Sequence, residues 1–282
     1  MPSWLEEMRE ERVVRYDTLR YPLAEAAAAV LELRPGETLD TLHLREAPTD
    51  DTPVPSCPTL VHAFAHAGHK LPRAWKQAKS SAKAVQKLHR TPAYQAFLRL
   101  YDLFVKEVLL PSCAGHDMVY QRPPTLRVAM PARTATIGLH CDSDYDGHSS
   151  AECNFWVPLT RVAGSNSLHV ESAPGLGDFR PLELSYGECF RFNGNRCRHY
   201  TEPNASGATR VSFDLRMLPE SLWEELPEAL RPQHAQVPGQ RDEAKEVRRR
   251  KIGDYGTAVA RAAAVREVSV SQLLTTHTHL VK

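Results

Sequence analysis

The spacing of apolar positions changes period at Pro111 and again beyond Leu218. In residues 21–110 it is helical. Leu23-Ala24-Glu25-Ala26-Ala27-Ala28-Ala29-Val30-Leu31-Glu32 is a run of strong helix formers, with Pro22 placed to begin it and Pro35-Gly36 to end it. Residues 47–58, rich in Pro, Asp and Thr, read as a loop. In residues 92–110 the stripe Phe97, Leu98, Tyr101, Phe104, Val105, Val108 and Leu109 predicts a helix that covers one face of a sheet, and Thr91 before Pro92 is its expected N-cap.

After Pro111 the period becomes two. Residues 118–120 and 126–130 read as the first strands, separated by Pro123-Pro124. Glu152, Asn154 and Trp156 then alternate with Cys153, Phe155 and Val157, and 167–171 alternates again. Pro174-Gly175-Leu176-Gly177 marks a loop, and 189–192 is a short strand ending in an Asn193-Gly194 turn. Arg210-Val211-Ser212-Phe213-Asp214-Leu215-Arg216 is a strict polar–apolar alternation. Its polar face either meets water or points into a barrel, where Arg210 pairs with a carboxylate and Ser212 adds a hydroxyl bond to it. Short strands joined by such turns predict a mainly β core of jelly-roll type within an α+β chain. Beyond Leu218, Pro219-Glu220-Ser221-Leu222-Trp223-Glu224-Glu225-Leu226 reads as a helix with acidic residues at its positive end. The expected organisation is one domain over 1–282: a mainly helical part (1–115), the β core (116–218) and a helical C-terminal extension (219–282). The last thirty residues read equally as an accessory helix or a dimer arm.

Composition narrows the function. A chain of 282 residues buries a sizeable core. Lys+Arg of 35 against Asp+Glu of 34 leaves a formal charge of +1, so the whole gives no electrostatic reason to expect nucleic acid or an anionic membrane as partner. The basic run within 246–251 reads as a solvated face. The six cysteines (57, 113, 141, 153, 189 and 197) form no C-x-x-C pair, and no apolar run approaches 18 residues. The expectation is a soluble cytoplasmic protein, with no disulfide or zinc framework and a small molecule as its partner. The oligomeric state is open.

Candidate chemistry lies in residues 139–216. His140-Cys141-Asp142 is an H-x-D step, and in extended chain residues two apart share a face, so imidazole and carboxylate can grip one ion while Cys141 faces away. His199 follows 57 positions later, and Arg210 another 11. Two histidines and one carboxylate leave about three open positions on an octahedral metal, the arrangement of non-haem Fe(II) oxygenases. Three rivals exist. His148 and Glu152 are four apart, but Gly147 and Ser149-Ser150 argue against the helix that would join them. His169 competes with His199 for the place of second histidine. His62, His66 and His69 align on one helix face with no acidic partner nearby.

The set His140-x-Asp142, His199, Arg210-x-Ser212 resembles the Fe(II)/2-oxoglutarate-dependent oxygenases. The residues around it, Asp144-Tyr145, Glu152-x-Asn154-x-Trp156-x-Pro158-Leu159-Thr160, Asn166-Ser167-Leu168, Gly187-Glu188, Gly194-Asn195 and Thr209-Arg210-Val211-Ser212-Phe213-Asp214, resemble the group related to the streptomycin-biosynthesis protein StrG. The likeness covers about residues 120–218. It implies a double-stranded β-helix, Fe(II) on His140, Asp142 and His199, and 2-oxoglutarate held by Arg210 and Ser212, with Asn154 near it. It further implies O2 as oxidant, with Tyr120, Gln121, Arg127 and Tyr145 toward the substrate. Related halogenases lack the carboxylate; Asp142 therefore favours hydroxylation, desaturation or ring closure, with release of succinate and CO2. The implied substrate is a small polar metabolite such as a sugar, cyclitol or amino-acid derivative. Two alternatives remain. One is a cupin-like metal enzyme without 2-oxoglutarate, against which the lack of a His-x-His pair counts; the other is a non-catalytic small-molecule-binding relative.

Overall fold

The helix expected over 92–110 forms, and its first turn shows why. Thr91 accepts the amide of Tyr94 at 3.3 Å, and Pro92 fills a position whose missing N–H costs nothing. The computed structural model describes residues 3–79, 81–145, 147–224, 251–252 and 255–260. Among these, the helices are α1 (Ser3–Arg9), α2 (Leu23–Val30), α3 (Pro58–His66), α4 (Arg73–Lys79), α5 (Ala82–His89), α6 (Pro92–Phe104, continued by a π turn through Leu109) and α7 (Glu220–Glu224). The strands are β1 (Arg12–Arg15), β2 (Met118–Gln121), β3 (Thr125–Ala129), β4 (Cys153–Pro158), β5 (Leu168–Val170), β6 (Arg180–Pro181), β7 (Glu188–Phe192), β8 (His199–Thr201), β9 (Arg210–Pro219), β10 (Lys251–Ile252) and β11 (Tyr255–Ala260).

The chain is α+β with antiparallel sheets. The larger sheet runs β1-β7-β4-β9-β2-β11-β10, with β3 also on β9; the smaller runs β6-β5-β8. β9 is the long central strand. It pairs β4 on one side and, in succession, β3 and β2 on the other. Its alternation divides the protein. Val211, Phe213 and Leu215 face the helices, and Phe213 meets the rings of Phe97 (6.0 Å), Tyr101 (5.8 Å) and Phe104 (6.3 Å) edge-on. On the other side of the same strands a second apolar cluster forms around Trp156, Leu168, Val170, Phe190 and Phe192.

Strands also form at both ends. Within the N-terminal part, which holds α1 to α6, Arg12-Val13-Val14-Arg15 forms edge strand β1 on β7. Four residues with arginines at both ends give too short a pattern to be read in sequence, and they suit an edge that must not recruit another strand. The C-terminal extension is not wholly helical. Its described part holds the helix α7 but also β11, which pairs β2 in the register Thr257↔Gln121 to Ala260↔Met118. The basic run within 246–251, apart from Lys251 in β10, and the last thirty residues, apart from 255–260, lie outside the described residues.

Candidate metal centre

His140 and His199 meet through one antiparallel bridge, in which each residue's amide donates to the other's carbonyl (3.1 and 2.8 Å). The expected strand at His140 is thus a single bridge. Cys141 is extended, and Asp142 opens a tight turn whose amide donates to Gly194 O at 2.9 Å. One extended residue is enough to turn His140 and Asp142 the same way while Cys141 faces away into buried surroundings. The ligand atoms of His140, Asp142 and His199 all lie within 4.8 Å of one another, and Asp142 Oδ1 is 3.8 Å from His140 Nε2 and 3.9 Å from His199 Nε2.

The histidine orientation is fixed from behind. His140 Nδ1 lies 2.8 Å from Gly138 O and His199 Nδ1 lies 3.1 Å from Cys197 O. A proton on Nδ1 in each ring donates to that carbonyl and leaves the Nε2 lone pair for an ion. Burial pushes the His199 pKa down to about 4, so this imidazole is neutral and ready to ligate at neutral pH. Burial alone would raise the Asp142 carboxyl, but the Arg216 guanidinium outweighs it and holds the group well below the usual carboxylate range.

Arg216 grips Asp142 with a fork, Nε to Oδ2 at 2.8 Å and Nη2 to Oδ1 at 3.2 Å. Its Nη1 donates to Asp214 Oδ2 (2.7 Å) and Gln121 Oε1 (3.2 Å). Asp214 also accepts from Arg127 Nε at 2.5 Å, and Gln121 Nε2 donates to Thr125 Oγ1 at 2.9 Å. Asn154 Nδ2 donates to Asp142 Oδ2 at 2.7 Å. Oδ2 is therefore occupied by protein donors, and Oδ1 is the oxygen turned to the histidines. Asn154 has a tight seat, since a Cβ on Gly194 would sit 2.5–2.8 Å from its amide group.

Farther along β9, Arg210 and Ser212 are almost fully buried, and Arg210 Nε and Ser212 Oγ have no hydrogen-bond partner. Arg210 is on the same face of β9 as Asp214 and Arg216, with its guanidinium 5.9 Å from the Trp156 ring centroid. Burial, with Arg127 nearby, pushes its pKa down to about 10, leaving it charged at neutral pH. The polar face of this strand thus looks into the protein, not into water.

The other predicted residues fall in different places. Gln121 faces the site but serves Arg216, and Arg127 faces it while paired with Asp214. Tyr145 is exposed, with its ring edge-on to His140 at 5.5 Å between centroids. Tyr120 is not in the site. Its ring belongs to the helix-facing core and its hydroxyl donates to Asp102 Oδ1 at 2.9 Å, as strand alternation beside Gln121 requires. Asn154 is placed on Asp142, with its Oδ1 buried and unpartnered. His148 and Glu152 do meet, 2.8 Å apart, although no helix joins them: a turn bonds Glu152 N to Ser149 O and brings both near Asp142. His169 pairs Tyr200 across the strands, whereas His199 pairs Val170, so His169 points to the opposite face. Of the helical histidines, His62 and His66 lie on α3 and His69 beyond its end. The role of Arg216 on Asp142 was missed, though its place on the Arg210 face was visible in the alternation.

These observations define an α+β protein of antiparallel sheets with a possible His–Asp–His metal site. No family model matches the chain. It is similar to the streptomycin biosynthesis protein StrG of Streptomyces griseus, 40% identical over 139 residues, which make up 48% of this chain and 66% of that protein; the match thus spans a little under two thirds of the relative. Solved structures with a looser likeness include the non-heme alpha ketoglutarate dependent carbocyclase SnoK from nogalamycin biosynthesis, at 14% identity and TM-score 0.38 over 65% of this chain and 94% of that one. The epimerase SnoN in complex with Fe3+, alpha ketoglutarate and nogalamycin RO has 15% identity and TM-score 0.37 over 86% of this chain and 93% of that one. At such scores the superpositions carry no weight, and the site stands on its own geometry. No helix among the described residues is long and apolar enough to cross a membrane.

Proposed function

We propose that the chain is an Fe(II)- and 2-oxoglutarate-dependent oxygenase that hydroxylates a small polar metabolite, its two sheets forming a double-stranded β-helix. The observation that carries this reading is a pairing of features: a His–Asp–His donor set within 4.8 Å, and buried, unpartnered donors on Arg210 and Ser212 of a strand that also holds Asp142's partner Arg216. An unpaired buried guanidinium is costly unless a ligand supplies the anion, and a carboxylate of 2-oxoglutarate is such an anion. The likeness to a streptomycin biosynthesis protein supports a biosynthetic small molecule as substrate.

In this reading His140, Asp142 and His199 would hold the metal. Arg210 forks onto the far carboxylate of the co-substrate, and the Ser212 hydroxyl donates to it. Arg216 and Asn154 keep Asp142 ionised and turn Oδ1 to the metal. Fe(II) with 2-oxoglutarate and O2 would, when bound, supply the oxidising power for C–H hydroxylation, with 2-oxoglutarate consumed to succinate and CO2.

The test is anaerobic titration of the protein with Fe(II) and then 2-oxoglutarate, read in the visible charge-transfer band of the chelate. The band is expected, and it is lost in His199→Ala and Asp142→Ala together with most of the Fe(II) affinity. Iron binding with no band would point to a cupin-like metal enzyme, and no iron binding to a small-molecule-binding protein.

A further inference from the structure

A cavity of about 430 Å³ reaches Arg210 from the helical side. It opens between β3 and α3. The lining includes His62 and His66 of α3, Lys79 at the end of α4, Arg127 of β3 and Arg210 of β9. No described lining residue is acidic.

The sequence around this opening is polarised far more than the net charge suggests. Residues 52–101, which include α3, α4 and α5, contain eight Lys and Arg and no Asp or Glu. The other 232 residues carry 27 Lys and Arg against 34 Asp and Glu, a net of −7. Arg73, Lys76 and Lys79 of α4 and Lys83 and Lys87 of α5 have no ion-pair partner among the described residues, whereas β9 answers Arg216 and Arg127 with carboxylates. A cleft of one sign with low-dielectric walls focuses the field, raising the local concentration and capture rate of counter-charged ligands. The cavity is of small-molecule size and concave, which favours a compact anion over a polymer.

We infer that this cavity, lined by Lys79, His62 and His66 beside Arg210, binds a phosphate-bearing small metabolite, a second anion in addition to the co-substrate. The inference goes beyond the oxygenase reading and rests on it only for the statement that Arg210 is taken by the co-substrate, since none of His140, Asp142 and His199 lines this cavity. The His62 imidazole and the Lys79 ammonium offer separate donors to the oxygens of a phosphate; His66, whose Nε2 lies 3.1 Å from Ala135 O, forms part of the wall, and Arg210 is reserved for the far carboxylate of 2-oxoglutarate.

Calorimetric titration of the full chain with inorganic phosphate and with glucose 6-phosphate, each before and after loading with Fe(II) and 2-oxoglutarate, tests this. Expected is saturable binding of at least one probe that persists in the loaded protein and weakens as salt rises from about 20 to about 200 mM. Lys79→Ala should weaken it about tenfold, the size of one lost charge-assisted bond. Lys79→Arg should restore most of it, and Lys106→Ala, at an exposed lysine outside the cavity lining, should change nothing. Binding of neither probe overturns the inference, as does binding unchanged in Lys79→Ala. One-for-one displacement of phosphate by 2-oxoglutarate also overturns it, because phosphate then merely occupies Arg210. Binding of an oligonucleotide with neither probe bound would overturn it in favour of a polymer. The oxygenase reading fails separately: if the chelate band never forms but phosphate binds and Lys79→Ala weakens it, the anion site stands without the oxygenase.

Discussion

The inward face of β9 has two halves that differ in one respect. Asp214 and Arg216 sit in a network in which each charge has its opposite: Arg216 meets Asp142, Asp214 and Gln121, and Asp214 meets Arg127 as well. Arg210 and Ser212, four residues away on the same face, are as deeply buried and have donors with nothing to meet. The paired half can hold its shape alone and so serves as scaffold, fixing Asp142. The unpaired half pays its desolvation cost without return until a ligand arrives, which is the signature of a receptor.

The contrast breaks most visibly at Arg216. Arg216→Met removes the fork from Asp142 and one of the cations facing Asp214, leaving buried carboxylates short of charge; unfolding in urea should show a loss of about 3–5 kcal/mol. Arg210→Met is the matched change on the other half. It removes a buried cation that has no ion pair to lose, so the ligand-free protein should unfold no earlier than the parent and gain up to about 1–4 kcal/mol, while the 2-oxoglutarate chelate band disappears with Fe(II) still bound. A loss of stability at Arg210 equal to that at Arg216 would show that the two halves are alike and that Arg210 has a structural partner.

Much of this half-and-half arrangement was legible in the sequence. The alternation over 210–216 shows which side chains share a face, and the helical stripe over 92–110 shows what the apolar face packs against. What alternation does not show is which member of a face meets which group on another strand. Gln121 and Tyr120 are neighbours, and both were expected near a substrate; the register of β2 on β9 sends one to Arg216 and the other to Asp102. The resemblance implies Asn154 near the co-substrate, but the turn at Gly194 presses it onto Asp142. The His148–Glu152 contact was discounted for want of a helix, and a turn supplies it. The edge strand β1 and the C-terminal strand β11 become visible only through their partners β7 and β2, because pairing across more than a hundred residues leaves no local period.

Gly194 gives a smaller effect on the scaffold half. A methyl group there would lie 2.5–2.8 Å from the Asn154 amide, closer than packing allows, so Gly194→Ala must displace that side chain from Asp142. The expected cost is about 1–3 kcal/mol, with Fe(II) affinity lowered about tenfold by loss of an outer hydrogen bond. In an Asn154→Ala background the obstruction is gone. There the further cost of Gly194→Ala should shrink to a few tenths of a kcal/mol, and a double-mutant cycle measures the difference. Additive costs would mean that Gly194 acts through its own backbone and not through Asn154.

The smallest change sharpens the comparison from within the network. Gln121 touches both layers: its backbone carbonyl accepts the Tyr101 hydroxyl at 2.6 Å on the helical side, and its side-chain Oε1 accepts from Arg216 on the site side. Gln121→Met keeps the backbone bond and removes only the side-chain ones. Arg216 then retains Asp142 through Nε and Nη2 and Asp214 through Nη1, so no charge is left unanswered, and the loss should be near 1 kcal/mol in urea unfolding with Fe(II) affinity within a few-fold of the parent. The carboxylates, not the amide, hold Arg216 in place. A cost at Gln121 approaching that of Arg216→Met would reverse that order and make the network's stability depend on its neutral member.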